Sequence, residues 1–447
     1  MCKIFYYKKY DFNEISGILT LTYAVTDNTE EIHDFTETIL FPSVPISRII
    51  KYRSILNRLF FLTHIAFGIS YYKTFCPEKI VIESGQLTLT EANFFNQFYI
   101  SGLGEFAIRN NLNLQNKIQF PFSKAESPVF PSVPFRKRFF VPVGGGKDSC
   151  VSLHILQSVG ADCTTLSVGS PRPIRECVEI TGLPHLELKR IIDPHLIELN
   201  QTGHVFNGHV PITGMLAFLF WICSIIYDYQ YVALSCERSA NSGNLMQGNL
   251  IVNHQYSKSF SFESDFYKLT QTLTPHFRYF SLLRPLSELH IARLFAQNCT
   301  SFFPAFTSCN KAFKLDESKR LNRWCGDCDK CRFVFLILAP FMNKQTLIRL
   351  IGRNPLNDLS QLTGYEELLG LSGHKPFECV GEIEESRMAF SLLATQDTWQ
   401  SDSIIRILKP RLPVFDYNIL YNQLMTPSQS HLIPMEILSD VMERFKI

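Results

Sequence analysis

The chain has 447 residues, which is enough for two or three domains, each with its own core. Hydrophobic residues make up 46%, too many for a disordered chain. The 43 basic and 41 acidic side chains leave a net charge of +2, which gives no electrostatic footprint for a nucleic-acid backbone. The 13 cysteines follow no small-protein disulfide framework, and the segment Met1 to Tyr7 lacks a signal-peptide pattern, so a reducing cytoplasm is expected. The most apolar stretch, Met215 to Tyr227, is shorter than the about 20 residues that span a bilayer. It reads as a helix buried against a sheet, with no membrane insertion.

From Phe5 to Phe41 the pattern is short, aromatic and Thr-rich, interrupted by the polar turn Thr26-Asp27-Asn28-Thr29. That predicts antiparallel strands joined by hairpins. Helical stretches follow near Ile46–Ser70 and Leu89–Asn110. The proline-rich segment Phe122–Pro134 reads as a linker closing an N-terminal α+β domain, residues 1–134.

From Arg138 the rhythm changes. Strands are expected at Phe139–Val143, Cys163–Val168, His185–Leu188 and Tyr231–Ser235, alternating with helices at Ser149–Ser158, Pro173–Thr181 and Val210–Tyr227. Apolar strands alternating with helices predict an α/β fold, with a parallel sheet covered by helices on both faces. This second domain is placed at 135–345, with a mostly helical C-terminal region at 346–447. Ligands of such sheets bind beyond the carboxyl ends of the strands.

At one such end lies Val143-Gly144-Gly145-Gly146-Lys147-Asp148-Ser149. Three glycines let the backbone turn and bring N–H groups to phosphate oxygens at the start of a helix. Lys147 supplies a cation and Ser149 a hydroxyl. Asp148 orients the loop or helps to hold Mg²⁺. The spacing differs from that of the Walker A motif. It resembles the Ser-Gly-Gly-X-Asp-Ser loop of PP-loop ATP pyrophosphatases, whose nucleotide-binding domain is of the HUP-like type, with Gly144 where those enzymes usually carry Ser. The resemblance implies ATP and Mg²⁺, with adenine near Ser167 and Gly169 at the end of the next strand.

Three further segments carry candidate chemistry. In Glu237-Arg238-Ser239-Ala240-Asn241-Ser242-Gly243-Asn244, Arg238 can grip a phosphate or a carboxylate through its planar fork, and Asn241 and Asn244 can add neutral hydrogen bonds. Tyr256 and Lys258 continue that polar character, and His209 lies at the start of the long helix in either a structural or a functional role. The loop around His374, Lys375 and Cys379 mixes titratable groups with glycines and is a candidate source of an acid or base. Finally, Cys325, Cys328 and Cys331, with Cys309 upstream, suit a structural Zn²⁺. An iron–sulfur cluster and free thiols are the other readings of that spacing. A comparable cysteine site occurs in 7-cyano-7-deazaguanine synthase, another PP-loop enzyme.

Taken together, Ser101–Phe106, Gly144–Ser149, Glu237–Asn244, Tyr256–Lys258, Trp324–Cys331 and Lys375–Gly381 resemble the UDP-N-acetyl-α-D-muramoyl-L-alanyl-L-glutamate epimerases, the MurL family. The resemblance implies an ATP-dependent inversion of the terminal L-glutamate of the muramoyl dipeptide, in peptidoglycan precursor synthesis. Adenylation of the carboxylate would make the Cα proton removable, with release of AMP and diphosphate. Lys147, Asp148, Arg238, Lys258, Lys375 and Cys379 are the candidate catalytic residues under that reading, and Arg238, Asn241, Asn244 and Tyr256 the candidate substrate contacts. Two other readings stay open: a PP-loop enzyme modifying a nucleobase or RNA, and a nucleotide-binding regulatory protein.

Overall fold

The structure is a computed structural model. It describes the whole chain apart from residues 1–2, 28, 116, 125–128, 244, 248–249, 315–316, 374, 377 and 447. Asn244 and His374 therefore lie outside the described residues. The strands in chain order are β1 (Ile4–Asn13), β2 (Ile18–Thr26), β3 (Ile32–Leu40), β4 (Lys79–Ile82), β5 (Phe139–Pro142), β6 (Cys163–Val168), β7 (His185–Ile191), β8 (Tyr231–Leu234), β9 (Leu245–Gln247), β10 (Leu250–Val252) and β11 (Arg278–Ser281). Helices alternate with them, so the protein is α/β. Among the described residues no helix is long and apolar enough to cross a membrane.

The chain divides into two compact units. The first comprises residues 1–140, 186–232 and 245–279. Its strands are hydrogen-bonded in the order β4-β1-β2-β3-β7. As the Thr-rich alternation predicts, β1, β2 and β3 form two antiparallel hairpins, with pairs such as Phe5↔Val25 and Tyr23↔Phe35. Their inward residues Phe5, Tyr7, Leu19, Leu21 and Tyr23 are buried, so the period-2 pattern faces a core on one side. The sheet here is mixed: β4 adds to β1 in parallel, whereas β7 runs antiparallel to β3. A fully parallel arrangement was expected for β7. Its partner strand comes from the N-terminal hairpins, which a reading of the strand–helix alternation alone does not connect to it.

Helix Arg53–Phe67 packs against helix Ile212–Tyr227, and nearly every residue of the latter from Gly214 to Ile226 is buried. That accounts for the 13-residue apolar run as core. Several polar groups in this interior are paired, although the buried hydroxyls of Thr63 and Ser224 have no hydrogen-bond partner among the described residues. Trp221 Nε1 donates to Thr274 Oγ1 at 2.8 Å, and the hydroxyls of Tyr7 and Tyr99 lie 2.6 Å apart. His64, on helix Arg53–Phe67, has Thr22 O at 3.0 Å from Nε2 and Ser84 Oγ at 3.1 Å from Nδ1. The carbonyl can only accept, so Nε2 carries the proton and Nδ1 accepts from the serine. Thr88 and Glu91 close the start of helix Leu89–Gly102 with a reciprocal capping box.

The second unit comprises residues 141–185, 233–244 and 280–447. It receives the carboxyl ends of β5, β8 and β11 together with β6, from the run ordered β11-β8-β5-β6. Val143 N donates to Leu166 O at 2.9 Å and Leu282 N to Leu234 O at 2.8 Å, which continues the ladder just past the strand ends. Helix Glu288–Asn298 packs on helix Lys147–Ser158, and helix Asp329–Leu338 packs on helix Ile383–Ala394. Four loops thus open at one set of strand ends, and the chemistry collects there.

Candidate functional site

The glycine loop follows β5 and opens helix Lys147–Ser158, as the sequence predicts. Its three glycines have different roles. Gly145 has φ +76°, and a Cβ there would approach the backbone carbon of Pro173 to 3.1 Å. At Gly146 a Cβ would lie 2.8 Å from Ser308 Oγ. At Gly144 it would meet nothing within 4 Å, so the serine usual in PP-loop enzymes would fit, and the glycine leaves open space instead. Thr307 N donates to Gly145 O at 2.7 Å and fixes the turn. No side chain caps the helix, so its first N–H groups and its positive dipole end face the loop. Ser149 Oγ turns back to Gly146 O at 3.1 Å.

Lys147 is 2% exposed. Its ammonium donates to Asp148 Oδ1 at 2.5 Å and to the carboxylate of Glu288. Burial works against its charge, but Asp148 and Glu288 outweigh burial and hold its pKa above the usual lysine value. Glu288 begins the helix after β11, and its backbone N–H donates to Glu385 Oε1 at 2.7 Å. The other oxygen of Glu385 accepts from Glu382 N at 2.6 Å, because Glu385 closes a capping box at the start of helix Ile383–Ala394. Ser242 donates its hydroxyl to Glu382. Burial pushes the Glu385 carboxyl up to about 7, assisted by Glu382 and Glu237 and opposed by the two N–H bonds.

Glu237 lies just beyond the end of β8 and is buried as well. Its carbonyl accepts from Arg284 Nη1 at 2.7 Å, which also reaches Asn241 Oδ1 at 3.5 Å. Lys375 faces the same carboxylates: burial lowers its pKa, while Glu385, Glu382, Glu237 and Glu288 act in the opposite direction. Two lysines thus lie within electrostatic range of Asp148 and four glutamates, of which Glu237, Glu288 and Glu385 are buried. The carboxylates outnumber the cations and offer hard oxygen donors of the kind that Mg²⁺ takes. Glu288 and Glu385 were not singled out from the sequence. The one signal available was the Glu-x-x-Glu spacing of 382 and 385 ahead of an apolar run, which is a capping pattern.

Of the other expected residues, Arg238 donates to the carbonyls of Gln423 and Thr426 at 3.3 and 3.2 Å, at the end of helix Tyr417–Met425. Its fork is thus directed at a helix carboxyl terminus, where a cation is favoured. Ser167 Oγ lies 3.1 Å from His185 Nε2. Gly169, with φ +71°, has open space where a side chain would project. Cys379 is half-buried in the same unit as Lys375. Tyr256 and Lys258 form a short turn in the first unit, with the Tyr256 ring buried.

The four cysteines converge as their spacing predicts. The sulfurs of Cys309, Cys325, Cys328 and Cys331 all lie within 4.8 Å of one another, with Cys328–Cys331 at 3.4 Å and Cys325–Cys331 at 3.6 Å. Four sulfurs about 2.3 Å from a central zinc stand about 3.8 Å apart, so the donor set fits a tetrahedral ion. Cys325 N donates to Cys309 Sγ at 3.4 Å. Gly326, with φ +75°, makes the turn between the first two ligands of the knuckle, where a Cβ would strike Arg353. Trp324 and Phe313 pack against the cluster.

Comparison with known proteins places this arrangement. The family profile of the MurL N-terminal domain matches residues 1–282, and that of the MurL C-terminal domain matches residues 305–418. A curated protein of Xanthomonas oryzae pv. oryzae (strain MAFF 311018), named UDP-N-acetyl-alpha-D-muramoyl-L-alanyl-L-glutamate epimerase, is 39% identical over 436 residues, covering 97% of this chain and 95% of its own. Proteins of the same name from Micromonospora sp. (strain ATCC 39149 / NRRL 15099 / SCC 1413) and Salinispora tropica (strain ATCC BAA-916 / DSM 44818 / JCM 13857 / NBRC 105044 / CNB-440) are 38% and 40% identical, covering 96% and 92% of this chain and 96% and 89% of their own. These relatives make the protein an isomerase of the epimerase class. The chain belongs to the MurL epimerase family.

Proposed function

We propose that the protein inverts the terminal L-glutamate of UDP-N-acetylmuramoyl-L-alanyl-L-glutamate to D-glutamate in the cytoplasm, using ATP to activate the glutamate carboxylate. The relatives' names support the substrate. The observation that carries the ATP step is the uncapped helix start behind Gly144–Gly146, with Lys147 buried among carboxylates.

The chemistry explains why ATP is needed. A free carboxylate beside Cα opposes proton removal, because negative charge would build on negative charge. A carboxylate oxygen attacks the α-phosphorus, the bond to the β-phosphate breaks, and diphosphate leaves. The resulting acyl adenylate is neutral at the carbonyl and accepts the electron pair left when a base removes the Cα proton. Reprotonation from the opposite face inverts the centre, and water then releases AMP and the carboxylate. The sum is one ATP and one water consumed for one AMP and one diphosphate.

In this reading the backbone N–H groups after Gly145 and the Lys147 ammonium hold phosphate oxygens. Asp148 and Glu288 position Lys147, and their oxygens would hold Mg²⁺, which would neutralise charge on the leaving diphosphate. Lys375, beside the glutamates, and Cys379 remain the candidate acid and base, with Arg238, Asn241 and Tyr256 as candidate substrate contacts. We assign Cys309, Cys325, Cys328 and Cys331 a structural Zn²⁺ that ties the knuckle to the helix starting at Asp329.

Incubation with ATP, Mg²⁺ and the muramoyl-L-Ala-L-Glu nucleotide in D₂O tests the proposal. Equimolar AMP, diphosphate and D-glutamyl product with deuterium at Cα is the expected result. ATP cleavage seen only with a nucleobase or RNA, or inversion without ATP, would overturn it.

A further inference from the structure

The first unit holds a second convergence of titratable side chains, on three separate stretches of chain. Glu105, His209 and His254 each present a ligand atom within 4.8 Å of the others. His254 Nδ1 is hydrogen-bonded to Glu105 Oε2, and His209 Nδ1 lies 3.9 Å from that same oxygen. The two imidazole centroids are 4.5 Å apart. The side chains are largely enclosed, at 5% exposure for Glu105, 11% for His254 and 24% for His209, so the cluster has one open side, at His209.

Each of the three is seated by its own local structure. Glu105 lies on the short helix Gly104–Arg109, and its second oxygen accepts from Arg109 Nε at 2.6 Å. The turn bearing His209 is pinned by Lys73, whose ammonium donates to Asn207 Oδ1 at 2.9 Å and Gly208 O at 2.8 Å. Gly208 there has φ +152°, and a Cβ would press Phe106 at 3.2 Å. His254 follows Asn253, whose side chain accepts from Gln255 N at 2.7 Å in a tight turn. This preorganisation exceeds what a surface ion pair needs.

Two imidazoles and one carboxylate are a donor set for zinc and neighbouring divalent transition ions, and three protein ligands leave a position open. The Lys73 ammonium, held at Asn207 and Gly208 on the turn that carries His209, places a positive charge near the cluster, so an anionic oxygen is the favoured occupant of an open position.

We propose that Glu105, His209 and His254 form a binding site for a zinc-like divalent ion, with one coordination position free for a carboxylate or phosphate oxygen. This site is independent of the cysteine cluster and of the ATP reading.

Titration of the metal-stripped, full-length protein with Co²⁺ tests this directly, because the two donor sets differ in spectrum. Thiolate ligation gives intense charge-transfer bands, whereas nitrogen and oxygen ligation gives weak visible bands alone. His209→Gln and His254→Gln are each expected to lose one equivalent of Co²⁺ and the weak bands, with any thiolate bands unchanged. Inorganic phosphate is expected to shift the weak bands in the unaltered protein. His209 is the more exposed ligand, so its variant keeps the test sound if His254→Gln fails to fold. Equal Co²⁺ stoichiometry in His209→Gln and the unaltered protein would overturn the site. Weak bands insensitive to phosphate would overturn its open position.

Discussion

Lys147 donates a hydrogen bond to the carboxylate of Glu288 across 141 residues of sequence. The glycine loop therefore supplies only part of the counter-charge, through Asp148. Helix Glu288–Asn298 supplies the rest, and Glu385 in turn holds the backbone N–H of Glu288. Lys147→Met leaves Glu288 and Asp148 without their buried cation. Breaking a buried pair from one side costs about 3–5 kcal/mol, and losing one charge-stabilising group costs about 10²–10³ in rate. Lys147→Met is expected to show both losses. The double variant Lys147→Met/Glu288→Leu is expected to regain stability in urea melts while the epimerisation rate stays low. Recovery of the rate along with stability would remove Lys147 from the chemistry.

His64 is buried and fully hydrogen-bonded as a neutral ring, and burial depresses its pKa to about 3 from the ordinary 6.5. The unfolded chain binds this proton first as pH falls. The contribution is therefore complete above pH 6.5 and is lost steadily down to about pH 3, reaching roughly 4–5 kcal/mol. Urea melts between pH 7 and pH 4 are expected to show that slope, and His64→Gln to flatten it. Carbon-13 labelling of histidine should show one ring still neutral at pH 4.5.

Glu385 has the opposite sign. Its folded pKa of about 7 exceeds the ordinary 4.5, so the native state binds the extra proton. Its contribution is complete below pH 4.5 and is lost as pH rises through 7, amounting to about 3 kcal/mol. At pH 6 the protein should show a carboxylic-acid C=O band in the infrared that vanishes in Glu385→Gln. That variant also places an amide N–H₂ against a backbone N–H, at a cost of about 1–3 kcal/mol. Persistence of the band in the variant would assign it to another carboxyl.

The cysteine cluster makes a separate prediction. Purified protein should carry one zinc bound by thiolates, and Cys328→Ser should lose it. Loss of a structural metal belongs with the large single-site effects, above about 4 kcal/mol. Cys379→Ser, outside the cluster, serves as the control and should keep the metal. Equal zinc content in Cys328→Ser and the parent would eliminate the thiolate site.

The sequence made the loop legible because its constraint is on the backbone. Gly145 must reach φ +76°, and only glycine does so without strain. The strands flanking it, β5, β6 and β8, were legible for a related reason: apolar runs of four to six residues bounded by turns have few other readings. The short strand β11 was missed because Arg278–Ser281 is only four residues long and shows no alternation. Glu288 and Glu385 were missed because a buried glutamate looks in sequence like an exposed one. Their burial comes from elements 97 residues apart, and no local pattern encodes that distance. The cysteines were readable because thiolate ligands come in short fixed spacings, whereas Glu105, His209 and His254 are scattered over three segments with none.

The path of the chain through its two units has a consequence for synthesis. The first unit needs residues up to 279 before all of its segments exist, yet the glycine loop at 144–149 leaves the ribosome well before that. Chains emerge from their N-termini and domains fold as they are completed. The hairpins β1–β3 can pair early, but β7, the strand next to β3, arrives only after the loop and β6 have been made. During elongation β3 therefore presents an open edge, the type of surface on which strands from other chains can add. A chain stalled between the loop and β7 would be the species most exposed to aggregation.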